Sequence, residues 1–189
     1  MARREAARQQ RLEVARGHGR RVAMRNVEAK FPLPDAGAVR QRAEALGFEC
    51  TGTLIQHDTF FVVSNGKLKL REQRDGAWLI HYRRHHEKGF ELSDYDIVPV
   101  SEPLKLRQLM SAALGVLARV RKRRTLLQRA HIRLHLDHVD NHGVFGELEA
   151  VLPEGEDPAS CRTEIAAILA ALQIPVGQLI DVSYFELTR

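Results

Sequence analysis

Residues 132–149 read I-R-L-H-L-D-H-V-D-N-H-G-V-F-G-E-L-E. Two runs alternate apolar and charged side chains, and the turn-forming stretch Asp140 to Gly143 separates them. A period of two is the mark of a strand, in which residues i, i+2 and i+4 share a face. Arg133, His135 and Asp137 therefore share one face of the first strand, and Glu147 and Glu149 share one face of the second. The stretch predicts an antiparallel strand pair whose charged faces are as regular as its apolar ones.

The same pattern recurs along the chain. Glu28 and Lys30 alternate in NVEAKF, Lys67, Lys69 and Arg71 in GKLKLR, and Lys122 and Arg124 in VRKRRTLL. An ordinary sheet turns one charged face to water. Several such faces carrying both signs point instead to charges lining the inside of a closed sheet.

The intervening elements fit this reading. A first strand over 24–31 stops at Pro32 and Pro34, and Asp35 caps a helix that runs to about Leu46 with Gly47 closing it. Strands follow over 54–63, 67–73 and 77–84, with Asp75-Gly76 as a hairpin turn. His85 to Gly89 read as a loop, and 90–98 as the next strand. Ser101 is a cap for a helix from about Pro103 to Leu114, and 116–128 turns from apolar to strongly basic. A last long helix starts at Asp157 and Pro158 and ends near Gln173. A short one covers 176–180, and SYFEL follows at 183–187. Neighbouring strands are joined mostly by hairpins, so the sheet is expected to be antiparallel. The expected organisation is a basic N-terminal extension over 1–23 and one domain over 24–189.

Bulk composition narrows the classes. The chain has 189 residues, 44% of them apolar, and carries 29 Lys and Arg against 24 acidic residues, a net charge of +5. An anionic small molecule accounts for that balance as well as nucleic acid does. No apolar run reaches the length of a membrane span, and the Arg-rich start lacks the apolar segment of a secretory signal. A cytoplasmic setting without a membrane partner is expected. Cys50 and Cys161 are too few for a disulfide scaffold, and both are read as buried structural thiols.

The charged residues divide by chemistry. Lys30, Lys67, Lys69, Arg71, Arg84, Lys122, Arg124 and Arg133 come from at least five predicted strands and suit phosphate oxygens. Burying so many like charges would be costly without an anion to balance them. Neither GxxxxGK[ST] nor a dinucleotide-type glycine pattern occurs, so phosphate recognition rests on side chains. Glu28, Glu147, Glu149 and Asp137 can converge on a hard divalent cation, or can form ion pairs with the basic strands. Of the histidines, His135 alone has the phase to enter the pocket, and no HExxH or compact Cys–His grouping is present. Ser93 and Tyr95 share a strand face, and Ser183 and Tyr184 offer hydroxyls near the C-terminus.

Taken in order, these motifs resemble the CYTH superfamily of triphosphate tunnel enzymes, whose hallmark is ExExK. Asn26, Glu28 and Lys30 stand in those three places. QHDTFF at 56–61, GKLKLR at 66–71, Arg84 in LIHYRR, VRKRR and the 133–151 stretch continue the series. LSDYDI, with Ser93 and Tyr95, is similar to the class IV adenylate cyclase branch.

The resemblance implies an α+β fold, eight antiparallel strands closed into a barrel with helices outside. It implies a metal-dependent triphosphate enzyme, either an adenylate cyclase or an inorganic or organic triphosphate phosphohydrolase. A non-catalytic triphosphate-binding module is the alternative. Mg²⁺ or Mn²⁺ is the implied cofactor, held by Glu28, Asp137, Glu147 and Glu149. Glu28, Lys30, Arg133 and Asp137 are the implied catalytic residues. The partner is a small-molecule triphosphate rather than nucleic acid, and a homodimer fits the family. Asn26 departs from the hallmark, since it puts a neutral amide where a carboxylate is expected.

Overall fold

The computed structural model describes residues 24–87, 89–153, 155–181, 183, 184 and 186. The expected 1–23 extension lies outside them. The strands are β1 (Met24–Pro32), β2 (Glu49–Phe61), β3 (Lys67–Gln73), β4 (Gly76–Glu87), β5 (Phe90–Pro99), β6 (Val116–Arg129), β7 (Ile132–Val139) and β8 (Gly143–Val151). The helices are α1 (Ala36–Ala45), α2 (Pro103–Leu114) and α3 (Pro158–Ala171), followed by a 3₁₀ turn at Val176–Gln178. Every strand pair is antiparallel, and the sheet closes in the order β1-β5-β4-β3-β2-β6-β7-β8. Closure leaves no free edge to recruit another strand. None of the described helices is long and apolar enough to cross a membrane.

The alternation in the sequence becomes an inside and an outside. In β1, Val27, Ala29 and Phe31 are buried in an apolar layer between the barrel wall and the helices. Leu134, Leu136 and Leu148 join that layer, and α1 and α3 cover it with Val39, Ala43, Ile165, Ile168 and Leu169. The larger hydrophobic cluster thus lies outside the barrel and the charged faces point inward, while a smaller cluster that includes Phe60, Ile80, Tyr82 and Val120 shares the interior with them. Gly146 is needed for this packing. It sits opposite Phe31 in the β1–β8 register, and a Cβ there would meet the Phe31 ring at 2.0 Å.

Asp35 caps α1 by accepting from the Ala38 N–H, and Asp157 caps α3 by accepting from Ala159. Three expectations need correction. Ser101 does not cap α2; Glu102 occupies that position, with Pro103 starting the helix. His85 to Glu87 continue the β4–β5 ladder, with His85 opposite Leu92, instead of forming a loop. His85 is exposed, so its polarity reflects the outer sheet surface facing water. Cys161 is buried, whereas Cys50 is exposed where β2 bulges against β6.

Candidate active site

The barrel encloses a cavity of about 180 Å³, and its lining is set by strand register. β1 contributes Asn26, Glu28 and Lys30, β3 contributes Lys69 and Arg71, and β4 contributes Arg84. Lys122 and Arg124 come from β6, Arg133 and His135 from β7, and Glu147 and Glu149 from β8. All are expected site residues except Asn26 and His135, which were noted for their position and their phase. Lys67 and Asp137 stand outside the lining. Lys67 donates to Ser183 Oγ at 2.8 Å and pairs with Glu186.

Two carboxylates brace the cations. Arg71 donates Nε and Nη2 to Asp58 at 2.8 and 2.7 Å, and Lys69 reaches the same carboxylate at 3.2 Å. Arg124 grips Asp137 in the same two-pronged way at 2.7 and 2.6 Å, while Lys122 donates to it at 2.9 Å. Asp137 is fully buried. Burial alone would raise Asp58 and Asp137, but Arg71 and Lys69 in one case, and Arg124 and Lys122 in the other, hold both carboxyls far below the usual range. Aromatic rings space the remaining charge. The Lys30 and Lys122 ammonium groups lie 4.9 and 4.8 Å from the Tyr184 ring centre. Lys69 and Arg84 lie 5.4 and 5.0 Å from that of Tyr82. Burial, and then Arg71, brings Lys69 down to about 7; burial and Arg124 bring Lys122 to about 8.

The acidic side is different. Glu28 and Glu149 are opposite each other across β1 and β8, as are Lys30 and Glu147. Asn26 Nδ2 bridges the first pair, donating to Glu28 Oε1 at 2.9 Å and Glu149 Oε1 at 2.5 Å. Glu28 also accepts from Arg84 at 2.9 Å. His135 sits between the β8 carboxylates, with Nδ1 2.8 Å from Glu147 and Nε2 3.5 Å from Glu149. Arg124 and Lys30 also pair with Glu147, and Arg133 with Glu149. Burial, helped by Glu147 and Glu149, raises Glu28 against the pull of Arg84. The two β8 carboxyls are lowered despite burial, Glu147 by Arg124 and Lys30 and Glu149 by Arg133 and His135. Burial and Arg124 push His135 below its ordinary value, outweighing those carboxylates.

Does this acidic side suit a divalent cation? Among the described residues, no three His, Cys, Asp or Glu groups stand close enough to cage an ion by themselves. The donor chemistry nevertheless fits Mg²⁺, which keeps several waters and commonly takes one or two carboxylates plus phosphate oxygens. Glu28 and Glu149 are close enough to share one amide, and Glu147 adjoins them through His135. Asp137 fits poorly, because its oxygens already serve Arg124 and Lys122.

Sequence reading passed over Asp58, Gln56 and Tyr82 as cavity residues. Asp58 was legible in principle, since it shares the inward phase of Gln56 and Phe60 in β2.

Comparison with known proteins agrees with this geometry. A candidate adenylate cyclase from Methanocaldococcus jannaschii is 27% identical over 87% of this chain and 98% of its own length. A solved Pyrococcus horikoshii protein superposes with a TM-score of 0.78 at 20% identity, covering 86% of this chain and 98% of that one. A candidate adenylyl cyclase from Hippeastrum with a dominant triphosphatase activity gives 0.62 at 17% identity, over 85% of this chain and 93% of its own. The CYTH domain matches residues 24–184, and the chain belongs to that family.

Proposed function

We propose that the barrel binds a triphosphate with Mg²⁺ or Mn²⁺ and cleaves one of its phosphoanhydride bonds. Membership of the CYTH family makes the chain a triphosphate-processing enzyme. The observation that carries the finer reading is the split lining. Cations from β1, β3, β4, β6 and β7 face one cavity whose acidic side is built from Glu28, Glu147 and Glu149.

Seven cations and four carboxylates line the cavity among the described residues, an excess of three positive charges. Asp137 and Glu91, buried against the lining cations Arg124 and Arg84, reduce that excess to one. A triphosphate brings more negative charge than this excess balances, and a divalent cation corrects the difference. Glu28 and Glu149, with Glu147 beside them, would hold it. Once bound it would polarise the reacting phosphorus and screen the leaving phosphate.

The chain's own residues supply the rest. Lys69, Arg71, Lys122, Arg124 and Arg133 hold phosphate oxygens in fixed positions, so little reorganisation is needed as charge moves to the leaving group. Asp58 and Asp137 keep the arginine forks in place. Buried rings at Phe60, Tyr82 and Tyr184 limit water around them.

Attack by a ribose hydroxyl on the first phosphorus would give cyclic AMP and pyrophosphate. Attack by water on the terminal phosphorus would give orthophosphate, and the activity of the Hippeastrum protein supports that route as well. A product-resolved assay decides the matter. ATP, thiamine triphosphate and inorganic triphosphate are supplied separately with Mg²⁺ and with Mn²⁺. Metal-dependent release of pyrophosphate or orthophosphate is expected. Tight triphosphate binding with no turnover under either metal would replace the enzyme reading with a binding module.

A further inference from the structure

We propose that the outer wall of the barrel carries an arginine row on β6 that binds the phosphate backbone of duplex nucleic acid. The proposal is independent of the triphosphate reading, which concerns the interior and the small molecule expected there.

The alternation that sends Lys122 and Arg124 inward sends their neighbours outward. Arg119, Arg121 and Arg123 are all exposed, whereas Val120, Lys122 and Arg124 are buried. Outward positions on a strand recur about every 6.7 Å, so the row spans about 13 Å. The helices pack elsewhere on the barrel. α1 and α3 cover the apolar side of β1, β7 and β8, and α2 packs near Phe61 of β2 and Leu70 of β3.

The flanking strands do not balance this charge. β2 sets Thr59, His57 and Ile55 opposite Arg119, Arg121 and Arg123, and β7 sets His138 opposite Arg123. Among the described residues, the one carboxylate that reaches the row is Asp140, 3.6 Å from Arg121. Other exposed cations have partners close by: Arg25 pairs with Asp94, Arg40 with Glu44 and Lys105 with Glu102. Like charges at consecutive outward positions repel one another, and a sheet face ordinarily offsets this with opposite charges across the strands. A row that keeps the repulsion is complementary to a partner with regularly spaced negative charge.

Among polyanions, the duplex backbone fits this face best. It offers a phosphate about every 3.4 Å of axis on each strand, so the row spans about four of them. Arginine forks take phosphate oxygens two at a time. An acidic peptide finds less to hold. The closed sheet has no free edge for an added strand, and Ile55 is the only large apolar side chain exposed among the row's cross-strand neighbours. A single strand is ordinarily held by bases stacked on aromatic rings, and those neighbours include no Phe, Tyr or Trp. Contacts of this kind are made to phosphate and read no sequence.

Fluorescence anisotropy of the full chain with short labelled DNA and RNA duplexes tests this, with salt raised from about 50 to 200 mM. Both duplexes are expected to bind in the micromolar range at the low end, because the row reaches phosphate in either. Replacing Arg119, Arg121 and Arg123 together by Gln should weaken binding by at least about thirtyfold and make the logarithmic salt slope shallower by about three. Arg123→Glu alone should weaken it about tenfold, so a folding defect in the triple variant leaves the proposal open to refutation. Calorimetry with inorganic triphosphate should give an affinity within about twofold of the parent in both variants, since the row lies outside the cavity. Failure of both duplexes to bind at about 50 mM salt would overturn the proposal. Parental affinity and salt slope in the variants would assign binding to the Arg-rich residues 1–23 and overturn the row. Displacement of the duplexes by polyglutamate of matched charge would replace nucleic acid with an acidic protein.

Discussion

Arg124 holds Asp137 through two hydrogen bonds of 2.7 and 2.6 Å, and Asp137 has no exposed surface at all. Asp137 is thus committed to the inner framework of the wall. The arrangement argues that it positions cations, and that it is not a metal ligand.

Asp137→Asn tests that assignment. The change leaves Arg124 and Lys122 buried without their compensating charge. Breaking a buried pair from one side costs roughly 3–5 kcal/mol, so a large loss of stability in urea denaturation is expected. Metal affinity of the folded, triphosphate-bound protein should stay within about twofold, since no ligand is removed. A tenfold or larger loss of Mn²⁺ affinity with stability preserved would return Asp137 to the metal site.

Glu149→Gln should act in the opposite sense. Glu149 retains slight exposure to the cavity and shares the Asn26 amide with Glu28. Its neutral isostere keeps much of the local hydrogen bonding but removes one negative charge from the acidic side. Metal-dependent turnover is expected to fall by about a hundredfold with the fold intact, in keeping with the loss of one electrostatic contact at a reacting centre. Glu147→Gln should lose turnover too, and also stability, because Glu147 pairs with Arg124, Lys30 and His135. Parental turnover and metal dependence in both variants would remove these carboxylates from the reaction.

Much of the barrel was legible because its signal is periodic. Glu28 and Lys30, and Lys69 and Arg71, alternate with apolar residues, and Lys122 and Arg124 stand two apart in a basic run; a period of two fixes a shared face whatever the tertiary context. Which face turns inward is a different matter. It depends on the helices, because α1 and α3 cover the apolar side of β1, β7 and β8 and leave the charged side for the interior. The partnering of individual charges was not legible. Asp58 and Asp137 look alike to Glu147 in sequence, yet register puts the first two opposite Arg71 and Arg124 and places Glu147 opposite Lys30 and His135.

Arg133→Ala should weaken triphosphate binding by about tenfold, the usual order for one charge-assisted hydrogen bond. Arg133 lies opposite Glu149, pairs with that carboxylate at 3.5 Å and lines the cavity with a side chain 18% exposed, against 9% for Arg124. Its loss should therefore cost affinity more than stability. Calorimetry with inorganic triphosphate measures the first and thermal unfolding the second. An unchanged affinity would take Arg133 out of the phosphate cage.

Lys69 should make triphosphate binding depend on pH. Its ammonium faces Asp58, Arg71, Lys122 and Arg84, and burial with those cations brings it down to about 7 in the free protein. A bound triphosphate adds negative charge nearby and raises it again. Above pH 7 the free protein has lost a proton that the complex retains, so binding takes up a proton and affinity falls as pH rises. Below pH 7 both forms are protonated and this contribution is flat. Lys122, at about 8, extends the slope upward by the same reasoning. Calorimetry at about pH 8 in two buffers of different ionisation heat should report net proton uptake. Lys69→Met should reduce that uptake and flatten the slope between about pH 7 and 9. Proton release, or an identical slope in the variant, would show that Lys69 does not titrate against the bound anion.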